Sequence, residues 1–208
     1  DVILRENPKA TISGDATVCP GDTTQLTIDL SGDGPWKFYY TFESGEEDSI
    51  EVNENAPSFE YLMDVSEPGT YRLTRVTNAT DEGCAYGTAT ILNFDQPSAT
   101  VTGDITICEG ASADISVTLE GTSPWILSYQ HNIDDPVEIT SITQNPYLLN
   151  VTQGGNYQVV ELTDGNNCQG SSTGIAEVTV NPSPEVSIID LYNLYTVNVL
   201  KEPFSVEP

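Results

Sequence analysis

Apolar and polar residues alternate along much of this chain, and the same alternating runs occur twice. Residues 25–30, "QLTIDL", place three aliphatic side chains on one face of a strand, and residues 114–119, "DISVTL", repeat the pattern. A Pro-Trp pair and a second alternating run follow each of them, at 36–40 and at 125–129. Gly and Pro punctuate these runs, and hardly any stretch spaces its apolar residues as a helix does. The pattern therefore predicts an all-β chain.

An internal repeat divides the chain into two units. "SGDATVC" at 13–19 has a near copy, "TGDITIC", at 102–108, which is 89 positions later. Because a period near 90 residues is the size of an ordinary domain, the repeat predicts two domains, at 9–96 and 97–182. Residues 1–8 are then expected to form a terminal strand and a linker. Residues 183–208 are expected to form a linker and either the start of a divergent third unit or a strand-donating tail.

Aromatic residues at matching positions favour the immunoglobulin-like sandwich. Trp36 and Trp125 begin the second alternating run of each unit, where an indole supplies much of a small core. Tyr71 and Tyr157 follow Gly-x, as in a tyrosine corner, in which the phenol bonds back to the chain. With about seven expected strands in some 88 residues, we predict two tandem immunoglobulin-like β-sandwiches with additional strands at both ends of the chain.

Two cysteines fall in each unit, namely Cys19 and Cys84 in the first and Cys108 and Cys168 in the second. None has the C-x-x-C spacing of a zinc or redox site, so structural disulfides in an oxidising setting are predicted, one within each domain. The second cysteine follows the corner tyrosine by 13 or 11 positions instead of two. We therefore expect a bridge at the periphery of each domain and not beneath the tryptophan.

Charge excludes several classes of partner. The chain has 6 Lys and Arg against 32 Asp and Glu, a formal net charge of −26, and residues 99–180 contain no Lys or Arg. Such a surface repels nucleic acid and anionic membranes. No apolar run approaches the length of a membrane span. His131 is the only histidine, so no His-based triad or multi-His metal site can form, and we predict that the chain is not an enzyme.

Calcium is the one ligand that the sequence leaves open, and otherwise no cofactor is expected. Asp15 and Asp104 recur at matching positions, and hard cations prefer clusters of carboxylate and amide oxygens. The alternative is that these acidic residues simply form turns.

The shared pattern Gly-Asp-x-Thr-[Val/Ile]-Cys-x-Gly, together with Pro-Trp and Gly-x-Tyr, resembles the tandem immunoglobulin-like (PKD-like) repeats of Bacteroidota surface proteins. Those surface proteins include the adhesins of gliding bacteria, which the type IX secretion system exports. The resemblance implies an extracellular, cell-surface stalk or adhesion module that forms a semi-rigid rod. It also implies partners such as further repeats of the same protein, neighbouring subunits, or a surface polysaccharide or protein.

Two alternatives remain open from the sequence. In the first, "DVILRE" at 1–6 or "YTVNVL" at 195–200 completes the sheet of a neighbouring subunit, and the chain builds a filament. In the second, Tyr39, Tyr86 and Tyr147 form a glycan-binding platform in an accessory module of a secreted enzyme.

Overall fold

The computed structural model describes residues 6–43 and 45–184. Every regular secondary-structure element within these residues is a β-strand. Nine strands form domain 1: β1 (Lys9–Ser13), β2 (Ala16–Val18), β3 (Thr24–Ser31), β4 (Trp36–Phe42), β5 (Glu47–Val52), β6 (Ser58–Val65), β7 (Gly69–Asn78), β8 (Glu82–Tyr86) and β9 (Thr88–Asn93). The predicted terminal strand, except Glu6, and the predicted third unit from residue 185 onwards lie outside the described residues.

Domain 2 repeats the same nine strands in the same order. They are β10 (Ser98–Thr102), β11 (Ile105–Cys108), β12 (Ala113–Glu120), β13 (Trp125–His131), β14 (Val137–Ile142), β15 (Tyr147–Val151), β16 (Gly155–Thr163), β17 (Ser171–Thr173) and β18 (Ala176–Asn181). Each strand of domain 2 therefore has a counterpart nine strands earlier.

Each domain is an immunoglobulin-like sandwich, as predicted. In domain 2 the strand orders are β15-β12-β10-β17 and β11-β18-β16-β13-β14. Domain 1 has the equivalent strands, and its two sheets are joined because β8 pairs with both β1 and β7. Each domain has nine strands instead of the predicted seven or so, for two reasons. The first strand is divided between the two sheets, which adds one strand. A short extra strand adds the other: β8, which contains Cys84, in domain 1, and β17, which follows Cys168, in domain 2.

A glycine and an aspartate mark the place where the first strand changes sheets. β1 pairs antiparallel with β3, whereas β2 pairs parallel with β9 on the other sheet. Gly14 between them has φ +119°, a conformation that disfavours other residues, and Gly103 has the same value. The Asp15 carboxylate accepts a hydrogen bond from the Thr90 amide at 2.7 Å, and Asp104 accepts one from the Glu177 amide at 2.9 Å. The two predicted calcium ligands thus fasten the divided strand to the last strand of their domain.

Each domain buries a hydrophobic core of its own. Trp36 is 2% exposed and Trp125 is 6% exposed, so both indoles are buried in the core of their domain. Tyr71 and Tyr157 are also buried, and each phenol donates a hydrogen bond to the carbonyl four residues earlier, at 3.1 Å and 2.9 Å. This is the contact of a tyrosine corner, and burial raises the pKa of both phenols.

Candidate functional site

A disulfide joins the two domains. It links Cys19 of domain 1 to Cys168 of domain 2, which are 149 positions apart in sequence and have Cα atoms 5.2 Å apart. Cys84 and Cys108 are exposed and have no partner among the described residues. The expectation of one disulfide within each domain is therefore wrong, and the junction between the domains is the feature of greatest functional interest in the structure.

The reason is that the two cysteines of one domain lie at opposite ends of its sandwich. In the ladder between β1 and β8, the backbone of Cys84 lies opposite Lys9, the first residue of β1. Cys84 therefore lies at the end of the sandwich where the domain begins. Cys19 follows Val18, which pairs with Asn93, the last residue of β9, so it lies at the C-terminal end. The nine residue steps of extended chain from Lys9 to Val18 span about 30 Å, whereas a disulfide needs Cα atoms within about 7 Å.

A tight turn presents the first cysteine. The Asp22 amide donates to the Cys19 carbonyl at 3.0 Å, and Gly21, at the third position of this turn, has φ +89°. Pro20 at the second position and glycine at the third are typical of a type II turn. The turn directs the chain away from β2 and leaves Cys19 at the end of the domain, next to the linker to domain 2.

A buried carboxylate holds the turn that carries Cys168. Asp164 is 3% exposed, and one of its oxygens accepts hydrogen bonds from the amides of Asn166 and Cys168, at 2.9 Å and 3.1 Å. Its other oxygen accepts a hydrogen bond from the Thr122 amide at 3.0 Å. Three backbone donors thus compensate for the burial of the charge. Because the Asp164 amide also donates to the Cys168 carbonyl, the turn closes on itself and fixes the position of the cysteine.

The linker is fastened at both ends. The Phe94 amide donates to the Val18 carbonyl at 2.9 Å, which ties the start of the linker to the strand before Cys19. At its other end, the buried Pro97 accepts a hydrogen bond from the Ser171 amide at 3.1 Å, close to Cys168. Both bridged cysteines therefore lie beside the linker, which explains why these two meet.

The other predicted sites are not assembled. The structure shows no group of three or more His, Cys, Asp or Glu side chains able to hold a metal ion within 6–43 and 45–184. Tyr39, Tyr86 and Tyr147 lie on β4, β8 and β15, no two of which are paired, so they do not form a common platform. Tyr39 is instead covered by the Arg75 guanidinium, 3.5 Å from its ring centroid. In the same part of the chain, no helix is long and apolar enough to be a membrane span.

His131 has structural contacts of its own. Its Nδ1 lies 3.0 Å from an Asp134 carboxylate oxygen, its Nε2 lies 3.0 Å from the Gly154 carbonyl, and its ring stacks on Tyr157 at 4.5 Å. The histidine thus helps to hold the loop after β13 against the tyrosine corner.

Sequence comparison relates both domains to one family. The family profile described as "Nucleoporin POM152, Ig-like domain" matches residues 8–85 and again residues 96–174. Nucleoporin pom152 of Schizosaccharomyces pombe is 28% identical over 198 residues, which cover 84% of this chain and 15% of that protein. Nucleoporin POM152 of Saccharomyces cerevisiae is 26% identical over 231 residues, which cover 98% of this chain and 17% of that protein. The chain therefore spans about one sixth of the length of these relatives.

Among solved structures, the I9-I11 tandem from titin is similar, with a TM-score of 0.44 and 16% identity over 85% of this chain and 65% of the titin chain.

These matches overturn the bacterial assignment. The relatives are yeast nucleoporins, so the resemblance to Bacteroidota repeats, type IX secretion and gliding is wrong, and so is the extracellular, cell-surface location. The predicted function as an extracellular stalk or adhesion module is therefore also wrong, and so are the filament and glycan-binding alternatives. The motif misled because its residues serve the fold: Gly14 and Asp15 carry the sheet crossing, Gly21 forms the turn, and Trp36 fills the core.

Proposed function

This chain belongs to the nucleoporin POM152 Ig-like domain family, and we propose that it is a non-enzymatic structural segment of a nuclear pore protein. In this proposal, two sandwiches in series are locked together by the bridge between Cys19 and Cys168. The observation that carries it is the combination of two family matches with a covalent junction between the matched domains. A disulfide at a domain junction limits the relative motion of the domains, which suits a structural element of a large assembly.

The disulfide also bears on where the segment lies. Disulfides persist in oxidising compartments such as the lumen of the endoplasmic reticulum and are rare in the cytosol and nucleus. At the nuclear envelope, the oxidising compartment is the lumen between the two membranes, which is continuous with that of the reticulum. We therefore place this segment on the lumenal side of the pore.

Protein surfaces are the expected partners. Domain 2 has no Lys or Arg, and of the four in domain 1, Lys37 and Arg75 are paired with Glu51 and Glu47, at 3.1 Å and 2.9 Å, which leaves only Lys9 and Arg72. The remaining surface is strongly acidic and repels nucleic acid and anionic lipid headgroups. Neighbouring domains of the same series, or neutral to basic protein surfaces, suit it better.

The location can be tested with the full-length protein. A fluorescent protein fused to its terminus should label the nuclear rim and coincide with a pore marker. An epitope tag inserted after Asp134, in the exposed loop between β13 and β14, should resist added protease until the nuclear envelope membranes are dissolved. Labelling away from the nuclear rim, or a tag cleaved while the membranes are intact, would contradict the proposal.

A further inference from the structure

We propose that Cys84 and Cys108 are the two open ends of a continuing series of interdomain disulfides. In this series, the first cysteine of each domain bonds to the second cysteine of the next domain along the same polypeptide. Cys84 would thus bond to a cysteine equivalent to Cys19 in a preceding domain, and Cys108 to one equivalent to Cys168 in a following domain. The inference takes from the proposed function only that this chain is a segment of a longer row of such domains.

The surroundings of Cys108 reproduce those of the bridged Cys19. Cys108 ends β11, where it pairs with Asn181, the last residue of β18, so it lies at the C-terminal end of domain 2. The Ala111 amide donates to the Cys108 carbonyl at 3.0 Å, as Asp22 does to Cys19. Gly110 has φ +83°, close to the +89° of Gly21, and the space around both glycines is open. The same turn therefore presents both cysteines at the end where the next domain begins.

Cys84 occupies the end at which Cys168 is bridged. It pairs with Lys9 at the start of β1, and the Gly83 backbone next to it lies against the carbonyl of the buried Pro8. In domain 2, a glycine close to Cys168, Gly170, lies in the same way against the carbonyl of Pro97. Each proline is the residue immediately before the first strand of its domain. The exposed Cys84 is thus placed to meet a domain that precedes domain 1.

The linker positions also match between the two domains. Ile91 and Val178 are equivalent because each pairs with the glycine that starts the corner strand, Gly69 or Gly155. A proline follows each of them after six positions, at Pro97 and Pro184. A domain that follows Pro184 would therefore begin at the distance from β18 at which domain 2 begins from β9. Its second cysteine would then lie beside Cys108.

Formation of each bridge follows ordinary thiol chemistry. Two thiols lose two protons and two electrons as the S–S bond forms, and the disulfide of a protein oxidoreductase in the oxidising compartment accepts them and becomes a dithiol. Both Cys84 and Cys108 are exposed, so such an oxidoreductase can reach them.

The first test uses the full-length protein purified from its cells, with free thiols blocked by N-ethylmaleimide at lysis. Proteolysis without reductant, followed by mass spectrometry, identifies the partner of each cysteine. We expect the Cys84 and Cys108 peptides to be linked to cysteine peptides of other domains of the same polypeptide. Maleimide on both cysteines, a bond between Cys19 and Cys84, or a bond from Cys84 to Cys108 of a second molecule would overturn the proposal.

The second test supplies the missing neighbour from this chain itself. A tandem protein in which Pro184 of one copy is joined directly to Lys9 of a second copy keeps the natural linker length and brings Cys108 of the first copy beside Cys84 of the second. After oxidative refolding we expect two alkylatable thiols in each molecule. Four alkylatable thiols, with the bridges between Cys19 and Cys168 intact, would overturn the proposal.

A matched variant makes the second test specific. Replacing Cys84→Ser in the second copy alone should make Cys108 of the first copy alkylatable, which adds one maleimide to the mass. The same replacement in the first copy should remove one maleimide, since that cysteine has no neighbour. Thiol counts do not depend on where the protein is located in the cell. The thiol counts can therefore contradict the proposed disulfide series without contradicting the proposed location, and the protease test can do the reverse.

Discussion

In domain 2 a carboxylate holds the turn before the second cysteine, whereas in domain 1 an amide occupies the equivalent position. Asp164 accepts hydrogen bonds from three backbone amides, those of Thr122, Asn166 and Cys168. Asn78 accepts from the Thr80 and Asp81 amides at 3.0 Å and 2.8 Å. Its own amide group donates to the Asp33 carbonyl at 3.0 Å. The neighbouring loop thus offers a donor in one domain and an acceptor in the other, and the side chain differs accordingly.

The length of the turn differs as well, and with it the exposure of the cysteine. Cys84 follows Asn78 by six positions and lies on β8, which pairs back onto β7. Cys168 follows Asp164 by four positions, lies in the turn itself and is 1% exposed in its bridge. The comparison teaches that the place of the second cysteine at the end of the domain is constant, while the local structure that delivers it varies.

Opening the bridge should have the largest effect on either domain. If one domain remains folded, the bridge closes a loop of roughly 75 residues in the other, which corresponds to about 4 kcal/mol in the chain-entropy model. We expect Cys19→Ser, in a background with Cys84→Ser and Cys108→Ser, to lower the unfolding free energy of each domain by about that amount. Urea unfolding followed by tryptophan fluorescence measures it, with Trp125→Phe in the chains that report on domain 1 and Trp36→Phe in those that report on domain 2. Curves that coincide with the background would contradict the prediction.

Exchanging the two turn side chains should have the next largest effect. Asp164→Asn places an amide donor or a weaker acceptor where the Thr122, Asn166 and Cys168 amides all need acceptors, and should destabilise domain 2 by about 2 to 3 kcal/mol. Asn78→Asp places a carboxylate oxygen against the Asp33 carbonyl and should cost domain 1 about 1 to 2 kcal/mol. Domain-resolved urea unfolding measures both changes. Equal stability of Asp164→Asn and the parent chain would mean that the carboxylate is not required.

The two core tryptophans offer a smaller and sharper comparison. The Trp125 indole donates to the Glu120 carbonyl at 3.2 Å, whereas the buried Trp36 indole nitrogen has no hydrogen-bond partner within residues 6–43 and 45–184. Trp→Phe removes similar volume at both positions, but only at Trp125 does it remove a hydrogen bond. We expect Trp125→Phe to cost about 1 kcal/mol more than Trp36→Phe. Thermal unfolding of the two variants gives the difference, and an equal cost would contradict it.

Alkaline pH should distinguish the domains by the smallest amount. Burial raises the pKa of Tyr40 and Tyr71 in domain 1 and of Tyr157 in domain 2, and the charge of Asp48 adds to the effect at Tyr40. The unfolded chain then releases these protons first, so the tyrosines' contribution to stability is constant below about pH 10 and falls as pH rises above it. Domain 1 should lose more stability than domain 2. Urea unfolding at pH 9 and at higher pH tests this, and Tyr40→Phe should reduce the excess.

The fold was largely predictable because its determinants are local. Alternation located the main strands, and the burial of Trp36 and Trp125 follows from their place at the start of an inward-facing run. The split of the first strand at Gly14 was missed, although a Gly-Asp pair inside a strand pattern is a signal for such a break. The role of Asp164 was not predicted, because an aspartate before Gly-Asn-Asn is typical of any polar turn. Its role became visible once the Thr122 loop was seen to approach it.

The disulfide pairing could not be predicted in the same way. Two cysteines per repeat favour a bond within the repeat, and only the three-dimensional strand pairings place Cys19 and Cys84 at opposite ends of one sandwich. The family was missed for a different reason. The matching residues satisfy needs that any sandwich of this kind has, so they do not distinguish one lineage from another.

The bridge has a mechanical consequence when the segment is stretched. Between Pro8 and Pro184 the backbone has 176 residue steps, which could extend to about 600 Å if both domains unfolded. With the bridge closed, the shortest covalent path runs from Pro8 to Cys19 and from Cys168 to Pro184, roughly 27 steps or about 100 Å. Tension that unravels both sandwiches therefore gains little length. The bridge thus limits how far the pair of domains can extend, and reduction of this single S–S bond would allow about 500 Å of further extension.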